Sequence, residues 1–219
     1  MERLIVLDTE TTGLDVEDGH RIIEIGCVEI IDRNITSNSF HQYINPQRLV
    51  DEKAYEVHGI SNEFLKDKPK FSDIIDNFID YISESPLIIH NAAFDLGFLK
   101  AEYILSNHKY SDIDNQREVI DTLKIARSKS PGKRNTLDAL CSRYSVDNTD
   151  RSLHGALLDA KLLANVYLRM TQGQTLIEGL SDINSRIDEN NIEDIKNRKP
   201  KIIYASDNEV EKHDSYFKN

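Results

Sequence analysis

The sequence predicts an α/β domain on a mixed sheet, an antiparallel meander joined to parallel strands and flanked by helices. Two observations carry this. The first 45 residues read as strands joined by short polar turns. From Phe71 onward the apolar spacing becomes helical, and strands alternate with helices.

Leu4–Leu7 is a short apolar run stopped by Thr12-Gly13, the pattern of a buried strand. Asp15–Gly19 is a polar loop. Arg21–Ile31 is β-branched and partly alternating, and Asp32-Arg33-Asn34 turns the chain. Ser39–Asn45 alternates again and completes the meander. Phe71, Ile74, Ile75, Phe78, Ile79 and Ile82 share one helical face, and Pro86 closes that element. Leu87-Ile88-Ile89 reads as a second buried strand with a helix over Phe94–Leu105 behind it. Val119-Ile120 is a short strand before Asp121, and Thr136–Tyr144 and Ala156–Met170 are helical.

The chain has 219 residues, 38 acidic and 27 basic, a formal charge of −11. That length buries a sizeable core without staples. The acidic balance argues against a protein held on nucleic acid by a broad basic face. It leaves open an enzyme that meets phosphate through bound metal ions. No apolar run approaches the ~20 residues of a membrane span. The opening MERLIVLDTETTG meets acid at once and has no signal-peptide core, so a cytoplasmic protein is expected. Cys27 and Cys141 lie in apolar segments without CxxC spacing, and free buried thiols are expected rather than a disulfide. Composition shifts near Gly173. Residues 1–173 are read as one domain and 174–219 as a linker and tail, in which Lys201–Ala205 is the one apolar island.

Three places carry chemistry. Asp8 and Glu10 stand at i and i+2 where a buried strand ends, so both face one side. Paired carboxylates repel unless a proton or cation intervenes, and hard oxygen ligands suit Mg²⁺ or Mn²⁺. A solvated strand end is the plainer reading of this pair alone. Asp95 falls in the first turn of a helix, where the dipole favours an acid in any case. His154 precedes a helix, as many surface residues do, but Asp159 lies among Leu157, Leu158, Ala160, Leu162 and Leu163 and requires a partner. Four acids and a histidine near element ends make the kit for two-metal phosphodiester hydrolysis.

The segments Asp8–Gly13, His90–Asp95 and His154–Asp159 resemble, in order and context, the three motifs of the DEDDh exonuclease superfamily. The resemblance is closer to the epsilon (proofreading) subunits of bacterial DNA polymerase III. Val57–Ile60, Pro131–Asn135, Leu137–Cys141 and Met170–Thr175 support it. It covers roughly residues 3–175 and the tail only loosely. It implies an RNase H-like fold and 3′→5′ removal of mispaired nucleotides from a DNA 3′ end. It also implies two divalent ions, Mg²⁺ or Mn²⁺, on Asp8, Glu10 and Asp159, with Asp95 completing the set and His154 as general base. Thr11, His58 and Asn91 would lie at the terminal nucleotide, alongside the metal-binding acids. Where relatives carry Glu ahead of the VHG segment, this chain has Lys53, which puts that nucleotide contact in question. The tail, through Tyr204 and its apolar island, would dock on the polymerase III catalytic subunit. Gln174–Ile177 resembles a sliding-clamp peptide without its last aromatic, and a small accessory subunit could cover the meander. The competing readings are an RNA-directed relative, a purely structural polymerase subunit and a binding module without turnover.

Overall fold

Five strands form one sheet in the order β3-β2-β1-β4-β5. The computed structural model describes residues 2–108, 117–149 and 151–173. β1 (Arg3–Thr11), β2 (Ile22–Ile31) and β3 (Asn34–Tyr43) make the antiparallel meander. β4 (Leu87–Ile89) and β5 (Val119–Asp121) extend it in parallel from β1. The helices are α1 (Glu52–His58), α2 (Asn62–Leu65), α3 (Phe71–Ile82), α4 (Ala92–Leu105), α5 (Thr122–Lys129), α6 (Leu137–Arg143) and α7 (Ala156–Met170). The mixed sheet and the helices at Phe71–Ile82 and Ala156–Met170 stand as the sequence predicts.

Two differences have physical reasons. β3 starts at Asn34 rather than Ser39, because Asp32 and Arg33 take φ of 47° and 65° and turn the chain in two residues. Its first six residues, Asn34–Ser39, are a mostly exposed edge and so lack apolar alternation. The short helices α1 and α2 and the amphipathic α5 were not expected. Each opens on an acid or serine turn that reads equally well as loop.

The sheet buries apolar residues on both faces. Ile5 and Leu7 pack with Phe71, Phe78, Phe98 and Tyr103 of α3 and α4. Leu4 and Val6 pack with Leu140, Leu163, Val166 and Met170 of α6 and α7. The strand period of two continues past the core. Asp8 and Glu10 therefore share the face of Val6, toward α7, and Thr9 shares the face of Leu7, toward α4.

Close approach of α7 depends on one glycine. Gly26 pairs with Asp8 across the β1–β2 ladder. A Cβ there would lie 2.2 Å from the Leu157 amide nitrogen. Ala156, Ala160 and Ala164, all fully buried, continue the close approach along the helix. Cys27 and Cys141 are free and buried, as expected. Among the described residues no helix is long and apolar enough to cross a membrane. The tail, with the segments Gln174–Ile177 and Lys201–Ala205, lies outside the described residues.

Gly26→Ala should overpack the α7 contact and cost about 1–3 kcal/mol of stability. Gly97→Ala, where an added Cβ meets nothing within 4 Å on α4, should be neutral or stabilising. Denaturant melts of the two variants test this directly.

Candidate active site

The two even-numbered acids of β1 and the first turn of α7 meet over the end of the sheet. Gly155 caps the start of α7, and its carbonyl accepts the Asp159 amide at 2.8 Å. Asp159 thus sits one turn into the helix, 3% exposed, above β1. A β-bulge between Glu10 and Thr11 re-aims the strand at this point. Glu10, His154 and Asp159 each offer a ligand atom, and these atoms lie within 4.8 Å of one another. The fourth acid comes from the opposite layer. Asn91 takes the left-handed conformation that Asn tolerates and opens α4, placing Asp95 in its first turn. Asp95 Oδ1 accepts the Thr9 hydroxyl at 2.8 Å, which ties α4 to the odd face of β1.

These groups repel one another in a poorly solvated place. Burial pushes the Asp8 carboxyl far up, and Asp95, Glu10 and Asp159 push it further. Glu10 is pushed up to about 8, first by burial and then by Asp159 and Glu24. Burial raises Asp95 too, against the pull of the Thr9 bond. His154 is moved down, by burial and then by the neighbouring Arg151 guanidinium. Acids this close that resist ionisation fit a divalent cation, which would stabilise their charged forms.

Arg151 is the cation in place among them. Its Nε and Nη2 donate to Asp159 Oδ1 and Oδ2 at 2.6 and 2.5 Å, and Nη1 donates to Asp138 Oδ1 at 2.7 Å. Nη2 also stands 3.0 Å from His154 Nδ1. The partner that the sequence demanded for Asp159 is, among the described residues, this arginine.

A cleft of about 750 Å³ opens above the acids. Arg127, Lys133 and Arg134 also line it, a local basic group in an acidic chain. A second hollow of about 440 Å³ shares Thr9, Glu10 and Phe94 with the first. Thr11, Leu14, Lys53, Val57 and His58 line it. His58 Nδ1 accepts the Ile60 amide at 3.0 Å. That leaves Nε2, its proton-bearing nitrogen in the neutral ring, buried beside the Thr11 backbone, its partner there, in a bond short of good geometry.

The exonuclease family profile matches residues 5–167. The DNA polymerase III epsilon subunit of Salmonella typhimurium is 49% identical over 97% of this chain and 91% of its own length. Those of Escherichia coli and of Buchnera aphidicola from Schizaphis graminum are 48% and 49% identical, over 97% and 99% of this chain and 91% and 96% of theirs. The chain belongs to the epsilon-subunit family of exonucleases. It is accordingly a 3′→5′ exonuclease, and its family context is DNA polymerase III. Among solved structures, exonuclease X in complex with 5′-overhanging duplex DNA superposes with a TM-score of 0.60. It is 29% identical over 78% of this chain and 92% of that one. The nuclease domain of 3′hExo, a DEDDh family member bound to rAMP, gives 0.68 at 22% identity, over 78% and 92%, and supports the RNase H-like fold alone.

The structure brings Asp8, Glu10, Asp95, Asn91, His154 and Asp159 to one cleft and Thr11, Lys53 and His58 to the adjoining hollow. Sequence reading missed Arg151, Asp138, Thr9 and the basic group. Thr9, Lys133, Arg134 and Asp138 stood in the Asp8–Gly13, Pro131–Asn135 and Leu137–Cys141 segments, quoted for their resemblance and given no role of their own. Arg127 and Arg151 lay outside those segments, and Arg151 gains its meaning from tertiary partners.

Raised acids have a consequence for stability. A group whose folded pKa exceeds its unfolded value stabilises the fold below the unfolded pKa and ceases to as pH rises through the folded one. For Glu10 that loss runs from about 4.5 to about 8. In chelator this group should therefore lower the melting temperature between about pH 4.5 and 8, and Glu10→Gln should flatten that slope. Melts in EDTA across that range decide it.

Proposed function

We propose that this chain removes mispaired nucleotides from a DNA 3′ end, the proofreading step of DNA polymerase III. The observation that carries the reading is the convergence of Asp8, Glu10, Asp95 and Asp159, from both sides of the sheet, on one cleft beside His154.

Asp8, Glu10 and Asp159, with Asp95 completing the set, would hold two divalent ions, Mg²⁺ or Mn²⁺. Such ions, when bound, polarise the scissile phosphate and make its attacking water more acidic. His154 takes the proton of that water. Its side chain is 43% exposed, so it can reach a solvent molecule, and its lowered pKa keeps the ring neutral around pH 7. The hollow at Thr11 and His58 would seat the terminal nucleoside, with His58 Nε2, beside the Thr11 backbone, as donor. The Asn91 side chain, at the mouth of α4, and Lys53, at the rim of the hollow, would meet the same nucleotide. Arg127, Lys133 and Arg134 would follow the phosphates upstream. A mismatch frays at low cost, so the cleft selects an unpaired end by access rather than by base sequence.

Residues 1–173 would form the catalytic domain. Residues 174–219 would form a linker and tail that docks on the polymerase catalytic subunit, its apolar island at Lys201–Ala205 supporting that role. Gln174–Ile177 would give a weak sliding-clamp contact, and an accessory subunit could cover the meander. Such tethering supplies by effective concentration the hold that a net charge of −11 withholds.

His154→Gln should lower the rate by on the order of 10²–10⁴ while metal binding persists. The acid limb of the wild-type rate profile should lie below about pH 6.5 and vanish in this variant. Asp8→Ala should remove both turnover and metal binding. On a 5′-labelled mispaired primer, DNA should be shortened faster than RNA of the same sequence. Equal or faster RNA trimming would transfer the assignment to an RNA-processing enzyme.

A further inference from the structure

The acid cluster already contains a cation of its own, and that cation blocks what the reaction needs. Arg151 lies with its side chain 5% exposed. Its Nε and Nη2 take both oxygens of Asp159. Nη2 also stands on His154 Nδ1. A neutral imidazole has a single lone pair, so a base bonded there to a guanidinium has none to offer water. Arg151 cannot surrender these sites by losing its proton, because a guanidinium stays charged. To free them it must move.

The structure also shows where it can go. Asp138 Oδ1 already accepts Nη1 at 2.7 Å, and Asn148 Nδ2 holds the same oxygen at 3.0 Å. Asp138 stands in the first turn of α6, where the helix dipole favours its charge. Against burial, the bonds from Arg151 and Asn148 hold its carboxyl below the usual range. Its side chain is 55% exposed, open to a rearranged partner.

We infer that Arg151 is a tethered counter-cation that competes with divalent metal for Asp159 and covers the base, and that Asp138 is the dock onto which it withdraws. This rests on the reading that the acids hold divalent ions. Arg151 is a positioning residue in this scheme. It keeps four crowded acids folded together and yields to the metal.

The test is Mn²⁺ binding to the full chain at fixed pH, by titration calorimetry or by the loss of free-Mn²⁺ resonance. Arg151→Gln should bind Mn²⁺ more tightly, on the order of tenfold, because a competing charge is gone. Arg151→Lys, which keeps the charge but loses the fork, should fall between. Asp138→Asn should bind Mn²⁺ more weakly, since the withdrawn arginine loses its dock. In the Arg151→Gln background, Asp138→Asn should have no effect. In EDTA, Arg151→Gln should melt below wild type and show the larger Mn²⁺-induced rise.

Unchanged or weaker binding by Arg151→Gln overturns the proposal, as does an Asp138→Asn effect that persists without Arg151. A wild-type chain that binds no Mn²⁺ refutes the metal reading and the competition with it. Wild-type binding with no gain in Arg151→Gln refutes the competition alone. If Arg151→Gln fails to fold, Arg151→Lys and Asp138→Asn carry the same opposed signs.

Discussion

Four carboxylates held against their mutual repulsion are what the rest of this structure is arranged around. Left to itself the chain would separate Asp8, Glu10, Asp95 and Asp159 or protonate them, and the raised acids at Asp8 and Glu10 register that pressure. A strand end, two helix starts and a bulge impose the crowding. The two hydrophobic layers stabilise it, because each acid is carried on an element whose apolar side is fixed in the core. The site is thus strained by design of its backbone. Bound cations, whether the chain's own or recruited, relax it.

The backbone imposes this through few positions. Gly26 lets α7 descend onto the β1–β2 pair, so the same contact that seals one core layer sets the height of Asp159. Thr9 ties α4 to the other face of the same strand. Consecutive residues of β1 therefore reach the two helices that complete the acid set. An error in strand register by one residue would exchange the faces and dismantle both contacts together.

Most of the fold was legible in the sequence. Apolar spacing located the helices over Phe71–Ile82 and Ala156–Met170, which bury one side, and a continuous apolar run located the strand Leu87–Ile89, which is buried on both faces. The start of β3 was not legible, since an exposed edge strand carries neither pattern. In the site, Asp8 and Glu10 could be placed on one face from strand period alone. Asp159 could be recognised as a charge in need of a partner. The identity of that partner could not, for Arg151 lies eight residues away in a polar loop and bonds Asp138 of another helix. Long-range ion pairs leave no periodic trace.

The loop that carries His154 has an anchor of its own. The His154 amide donates to the Val57 carbonyl at 3.1 Å, and Leu153 lies against Gly59, where an added Cβ would come within 2.6 Å of its Cδ1. Val57, His58 and Gly59 end α1, and the first two border the second hollow. His154 and the wall of the neighbouring hollow are therefore joined twice, by a main-chain bond and by the Leu153 side chain. Displacing the turn at Gly59 would carry the His154 backbone with it, which couples the imidazole mechanically to the adjoining chamber.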